Sequence, residues 1–132
     1  MGAEVVSQRT VAIVGASADP AKFGYQSVVA HQRQGYQVFP VNPKGGQIAG
    51  LKVYARLADV PAERLDRISI YLPPRVALDV MEEIAAKPCD ELFFNPGSDS
   101  PEVIEAARNL GLEPIQACSI VNVGSGEREG GE

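Results

Sequence analysis

Residues Thr10–Ser27 read TVAIVGASADPAKFGYQS, and the fold turns on this stretch. The run TVAIV (Thr10–Val14) is rich in Val and Ile, as suits a strand buried on both faces of a parallel sheet. Gly15 ends it and permits a tight turn. A loop of small and turn-forming residues follows, and a helix is predicted from Gly24 to Gln34, with Gly35 as its stop signal. A strand that runs through a glycine loop into a helix N-terminus is the arrangement that cradles phosphate.

Four further apolar runs continue the pattern. They are QVFPV (Gln37–Val41), RISIYL (Arg67–Leu72), ELFF (Glu91–Phe94) and EPI (Glu113–Ile115). Helices are predicted between them. Residues 76–87 place Val76, Ala77, Val80, Met81, Ile84 and Ala85 on one stripe, with Pro88 beyond. Residues 101–110 open with Ser100 as N-cap and Pro101 at the first helical position, and Gly111 closes them. Strand and helix in alternation predict an α/β fold: a Rossmann-like, doubly wound, mainly parallel five-stranded sheet in a single domain. One connection is long. Within it QIAGLKVY reads as a small extended excursion and ARLADVP as a short helical turn. The expected organisation is an N-terminal extension (1–9), the domain (10–123) and a disordered tail (124–132), because GSGEREGGE is of low complexity.

The chain has 132 residues, 45% of them hydrophobic and 22% charged, which fits one globular domain. Its net charge of −5 argues against a nucleic-acid partner. No apolar run approaches the roughly 20 residues that span a membrane. The N-terminus is too polar for a secretory signal. Cys89 and Cys118 form no zinc-type or CxxC spacing, and a cytoplasmic protein with reduced thiols is expected.

Ligands of open α/β sheets bind beyond the carboxyl ends of the strands. After the first strand, Gly15, Ser17, Ala21, Lys22, Phe23 and Gly24 offer backbone N–H groups, a hydroxyl and a positive charge. A dinucleotide fingerprint needs glycine at positions 15, 17 and 20; the chain has Gly15, Ser17 and Pro20. No Walker GK[ST] follows either. After the second strand stand Asn42, Pro43 and Lys44, where an NAD site places an acid for the ribose hydroxyls. A lysine there attracts a ribose phosphate. That leaves two ligands, NADP with its 2′-phosphate and coenzyme A with its 3′-phosphate. After the third strand, Pro73 and Pro74 offer an apolar ledge without N–H donors. After the fourth, Asn95, Pro96 and Gly97 reach the same edge.

No catalytic set is legible. His31 is the sole histidine and falls mid-helix, so it is read as structural. Asp19, Asp90 and Asp99 read as turn and cap residues, Cys118 as a buried inert thiol, and no metal cluster stands out.

The series VGAS, DPAKFG, VFPVNPKGGQIAGLKVY, YLPP and NPGS resembles the CoA-binding domain family. These are stand-alone Rossmann-like proteins similar to the N-terminal domain of the succinyl-CoA synthetase alpha subunit. The resemblance covers residues 10–123. It implies that Ser17 and residues 21–24, Lys22 included, hold CoA phosphates. It implies Lys44 beside the 3′-phosphate and Pro73 and Pro74 along adenine and ribose. Asn95, Pro96 and Gly97 would meet the pyrophosphate or pantetheine. The synthetase's phosphohistidine domain has no counterpart in this sequence, so the expectation is binding of CoA or an acyl-CoA without catalysis by this chain alone. The alternatives are a regulatory or subunit partner of an acyl-CoA synthetase, or an NADP-binding reductase. A second copy or another chain is an expected partner.

Overall fold

The computed structural model describes residues 8–130, so most of the 1–9 extension and the last two residues of the tail lie outside the described residues. Five parallel strands form the sheet: β1 (Thr10–Val14), β2 (Gln37–Val41), β5 (Leu65–Ile70), β6 (Cys89–Phe94) and β7 (Pro114–Gln116). Their order is β2-β1-β5-β6-β7. The chain steps from β1 outward to β2, then back across β1 to β5. Strand order therefore reverses at β1 and β5, and a crevice opens beyond their carboxyl ends.

Side chains alternate across the pleat and build two cores. On one face Ala12, Val14, Ile68, Ile70, Leu92 and Phe94 pack under the helices α2 (Pro74–Asp79), α3 (Met81–Ala86) and α4 (Pro101–Asn109). On the other, Val11, Ile13 and Val38 meet Val28 of α1 (Phe23–Arg33) and Val123 of α5 (Ser119–Gly130). The central strands are thus covered on both sides, as their apolar runs require, while the edge strand β7 stays partly exposed.

The first two strands fall at their predicted bounds. β5 starts two residues earlier than RISIYL because Leu65 is fully buried and pairs with Cys89. It stops at Ile70, ahead of Pro73 and Pro74, which have no N–H to extend a ladder. The helix predicted over 76–87 begins at Pro74 and divides at Val80, whose backbone (φ −109°, ψ 14°) leaves the helical region. QIAGLKVY forms a two-stranded antiparallel hairpin, β3 (Gln47–Ile48) with β4 (Leu51–Lys52), and Leu57–Asp59 forms a 3-10 turn. Ser100 caps α4 by accepting from the Val103 N–H at 3.3 Å. The boundary expected at residue 123 falls inside α5, a helix absent from the sequence expectation, whose backbone runs through Gly130.

One polar knot lies within the second core. His31 and Arg67 are buried, and the His31 Nδ1–H donates to the Ser27 carbonyl at 2.8 Å. That fixes Nε2 as an acceptor, and Arg67 Nη1 donates to it at 3.2 Å. Arg67 also reaches Glu91 at 3.0 Å and Asn122 of α5 at 2.8 Å, and lies over the Phe93 ring. Burial lowers the His31 pKa to about 4; the Ser27 bond opposes this, and the Arg67 and Arg9 charges reinforce it.

The folded pKa lies below the unfolded one, so the unfolded chain takes the proton first as pH falls. The contribution of His31 is complete above about pH 6.5 and drains away toward about pH 4. The expected loss over that window is about 3 kcal/mol at full extent, one pKa unit being worth 1.36 kcal/mol. Urea titrations at pH 7, 5.5 and 4.5 should show it. His31→Gln should start less stable at pH 7 and show a flatter decline.

Candidate functional site

The loop after β1 is built around two glycines. Gly15 has φ +91°, and a Cβ there would lie 2.2 Å from the Tyr71 carbonyl oxygen. A Cβ on Gly24 would lie 2.4 Å from the Gly15 carbonyl oxygen. Helix α1 therefore begins in direct backbone contact with the loop it follows, and only glycine fits at either point. The Gly15 and Ala16 N–H groups both donate to the Val41 carbonyl, at 3.0 and 3.2 Å, which pins the loop to the end of β2.

The rest of the loop turns on short side-chain bonds. Ser17 Oγ accepts from the Asp19 N–H at 3.0 Å, and Asp19 Oδ1 accepts from the Ala21 N–H at 3.0 Å. Asp19 is a turn residue, as expected. Ser17 keeps its hydroxyl hydrogen to donate. Helix α1 starts after Lys22 with no side-chain cap. Its first N–H groups, at Phe23 and Gly24, are free of protein acceptors among the described residues, and both residues line the cleft.

The second loop is locked to the first. Asn42 Nδ2 donates to the Ala16 carbonyl at 2.8 Å, and Asn42 Oδ1 accepts from the Lys44 N–H at 2.8 Å. One amide thus sets the spacing of the two loops and turns the chain so that Lys44 stands at the rim. The third and fourth loops are joined by the Leu72 N–H, which donates to Ser98 Oγ at 2.9 Å.

Together the four loops enclose a cleft of about 780 Å3. Gly15, Ser17, Ala21, Lys22, Phe23, Gly24, Asn42, Lys44, Pro73, Pro74, Pro96 and Gly97 all line it. No Asp or Glu does. Among the described residues neither Lys22 nor Lys44 is in an ion pair. A chain of net charge −5 thus presents two exposed lysines and the start of a helix in a cleft without acids. Helix N-termini and such nests of N–H groups favour anions.

Two residues expected at the site do not line this cleft. Asn95 is buried beneath the cleft: Nδ2 donates to Ser69 Oγ (2.8 Å) and the Ile70 carbonyl (2.9 Å), and Oδ1 accepts from the Ser119 N–H (2.7 Å). Its amide ties β5 to the start of α5, and the following Pro96 and Gly97 line the cleft. Pro43 lines an apolar side chamber of about 280 Å3, which shares Gly15 and Leu72 with the cleft. Four lining residues were not anticipated: Ala16, Tyr71, Leu72 and Ser98. Each lies within two positions of an anticipated one. Tyr71 also bonds Ser119 Oγ at 2.9 Å, and burial raises its phenol pKa. Burial, with the Asp90 charge beside it, pushes the Cys89 thiol up to about 11, so this thiol stays protonated near neutrality. Among the described residues there is no cluster suited to a metal ion, and no helix long and apolar enough to cross a membrane.

Residues 9–124 match the family model described as CoA binding domain. The acetate–CoA ligase (ADP-forming) I subunit alpha of Pyrococcus furiosus is 36% identical over 120 residues, covering 79% of this chain and 26% of that one. The chain thus spans about a quarter of that relative's length. A conserved hypothetical protein of Pyrococcus furiosus superposes with a TM-score of 0.77 at 34% identity, over 86% of this chain and 98% of that one. The acetyl-coenzyme A synthetase 1 of Ca. Korarchaeum cryptofilum, solved with phosphate and ADP, gives a TM-score of 0.69 at 26% identity, over 82% of this chain and 25% of that one. The chain belongs to the CoA binding domain family.

The glycine contacts make a testable demand. Gly24→Ala has backbone on the far side of its clash, so the loop or the helix must shift, at an expected cost of about 2 kcal/mol. Gly111→Ala, at positive φ (+84°) but with open space around it, should cost about 1 kcal/mol. Urea denaturation of the two variants against wild type measures the difference.

Proposed function

We propose, from membership of this family and the charge layout of the cleft, that the protein binds coenzyme A or an acyl-CoA and is not catalytic by itself. The observation that carries this reading is the acid-free cleft at the sheet's switch point, lined by Lys22, Lys44 and the start of α1. A diphosphate suits the Ser17 hydroxyl, the Phe23 and Gly24 N–H groups and Lys22. A ribose phosphate suits Lys44, whose turn Asn42 ties to Ala16 of the first loop. The apolar chamber beside Pro43 suits the adenine ring, with Pro73 and Pro74 along its approach. The pantetheine arm then leaves past Pro96 and Gly97, a stretch of low charge. Asn95 contributes through the backbone it fixes.

Each charge-assisted bond is worth about 1.5–3 kcal/mol. A lysine lost from a phosphate contact should therefore weaken binding about tenfold or more. Coenzyme A supplies the ligand's thiol; the chain supplies only its grip on the nucleotide end and exclusion of water from the chamber.

A second reading is a subunit role in an acyl-CoA ligase. It is favoured by one observation: a relative at 36% identity is the alpha subunit of such an enzyme, and this chain matches 26% of its length. Under that reading the same cleft holds CoA while another chain carries the chemistry.

Calorimetric titration with CoA, dephospho-CoA, acetyl-CoA, NADP and NAD tests the assignment. CoA should bind much more tightly than dephospho-CoA. Lys44→Ala should lose about tenfold in CoA affinity and little in dephospho-CoA affinity. Equal CoA affinity in wild type and Lys44→Ala removes Lys44 from the site, and binding of NADP alone restores the reductase.

A further inference from the structure

One buried residue joins the cleft to the last helix. Tyr71 lines the cleft, and its hydroxyl meets Ser119 Oγ at 2.9 Å. Ser119 is the first residue of α5 and is fully buried. The same Oγ meets Ser69 Oγ at 2.7 Å, and the Ser119 N–H donates to Asn95 Oδ1 at 2.7 Å. Asn95 is followed by Pro96, Gly97 and Ser98, all in the cleft lining, whereas Ser119 is not. Ser119 therefore ties the third and fourth cleft loops to α5 without standing in the cleft itself.

Little apolar packing holds that helix. Among the described residues Val123 is its one buried apolar side chain, and Val121 is 63% exposed. Gly124 and Gly126 lie within the helix and lower its intrinsic propensity. Beyond Ser119, its polar anchor is Asn122, whose Oδ1 accepts from Arg67 Nη2 at 2.8 Å. A segment with so few buried apolar contacts opens locally at lower free energy than the core strands. Opening at Ser119 removes the partners of Asn95 and Tyr71 on which the third and fourth loops rest. A ligand held between those loops then binds the docked state more tightly than the open one, and differential affinity is what coupling requires.

Resting on the reading of the cleft as a CoA site, we propose that occupancy of the cleft is transmitted to α5 through Ser119. Bound ligand steadies the third and fourth loops, keeps the Ser119 bonds made and locks α5 against α1 and the sheet. An empty cleft lets α5 open more often. Ser119 is a coupling residue and not a ligand contact.

Amide hydrogen exchange on the full chain, free and with CoA at about 100 times its calorimetric Kd, tests this. Amides of residues 123–130 in α5 should exchange about tenfold more slowly with CoA. Residues 105–109 of α4 neither line the cleft nor bond to Ser119, and their amides should change less than about twofold. Ser119→Ala keeps the N–H to Asn95 and removes the hydroxyl between Ser69 and Tyr71. It should still bind CoA, with an α5 response several-fold smaller than in wild type. Exchange in α5 that CoA leaves unchanged overturns the proposal. Equal slowing of both segments is general stabilisation and overturns it too, as does a full α5 response in Ser119→Ala. The wild-type comparison decides even where Ser119→Ala does not fold. In each of these outcomes CoA still titrates and the CoA reading stands, whereas absence of calorimetric CoA binding overturns both.

Discussion

The site depends on one backbone contact. Helix α1 sits on the loop after β1 so closely that a Cβ on Gly24 would meet the Gly15 carbonyl oxygen at 2.4 Å. Gly15 in turn presses on the backbone of Tyr71 beyond β5. Three segments, from β1, α1 and β5, therefore meet through main-chain atoms with no side chain between them. Close approach of this kind brings the start of the helix to the bottom of the cleft, where its N–H groups can reach a ligand. Bulk at Gly24 would push the helix off the loop, and bulk at Gly15 would push the loop off the Tyr71 backbone.

Beneath that contact the cleft rests on buried polar bonds rather than on apolar packing alone. Asn95 joins Ser69 and Ile70 of β5 to the Ser119 N–H at the start of α5, and Ser119 Oγ bonds both Ser69 and Tyr71. No buried side-chain donor or acceptor among the described residues is left without a partner. Satisfied networks of this kind hold a single geometry, because any rearrangement strands a polar group at about 1–3 kcal/mol. The same bonds explain why α5 belongs to the domain although its apolar content is slight. Arg67, through Asn122, and Asn95, through the Ser119 N–H, hold the helix where Val123 alone buries little.

The parts legible in the sequence are those where local chemistry decides the outcome. TVAIV and QVFPV could hardly be anything but buried strands, and Ser100–Pro101 is an unambiguous helix start. The lysine at position 44 needed only its place after the second strand. The parts that were not legible depend on partners far along the chain. Asn95 lies between a strand and a cleft, as a ligand contact should, but its amide is committed to Ser69, Ile70 and Ser119, 24 to 26 residues away. Pro43 follows a site residue and precedes another, yet the turn carries it into the side chamber. Tyr71 and Leu72 were hidden inside an apolar run that ends at Ile70 only because of the prolines beyond. Helix α5 was hidden by glycines that lower helix propensity, its anchorage being tertiary.

Charge placement resolves an apparent conflict between a net charge of −5 and an anionic ligand. Asp79, Glu82, Glu102 and Glu105 are exposed on α2, α3 and α4, and none of them lines the cleft. At physiological ionic strength fields from such exposed charges fade over about 8 Å. Lys22, Lys44 and the N–H groups of α1 act at contact, where screening is weakest. The acids therefore govern how the protein repels its own copies and other polyanions, while the cleft governs what it holds.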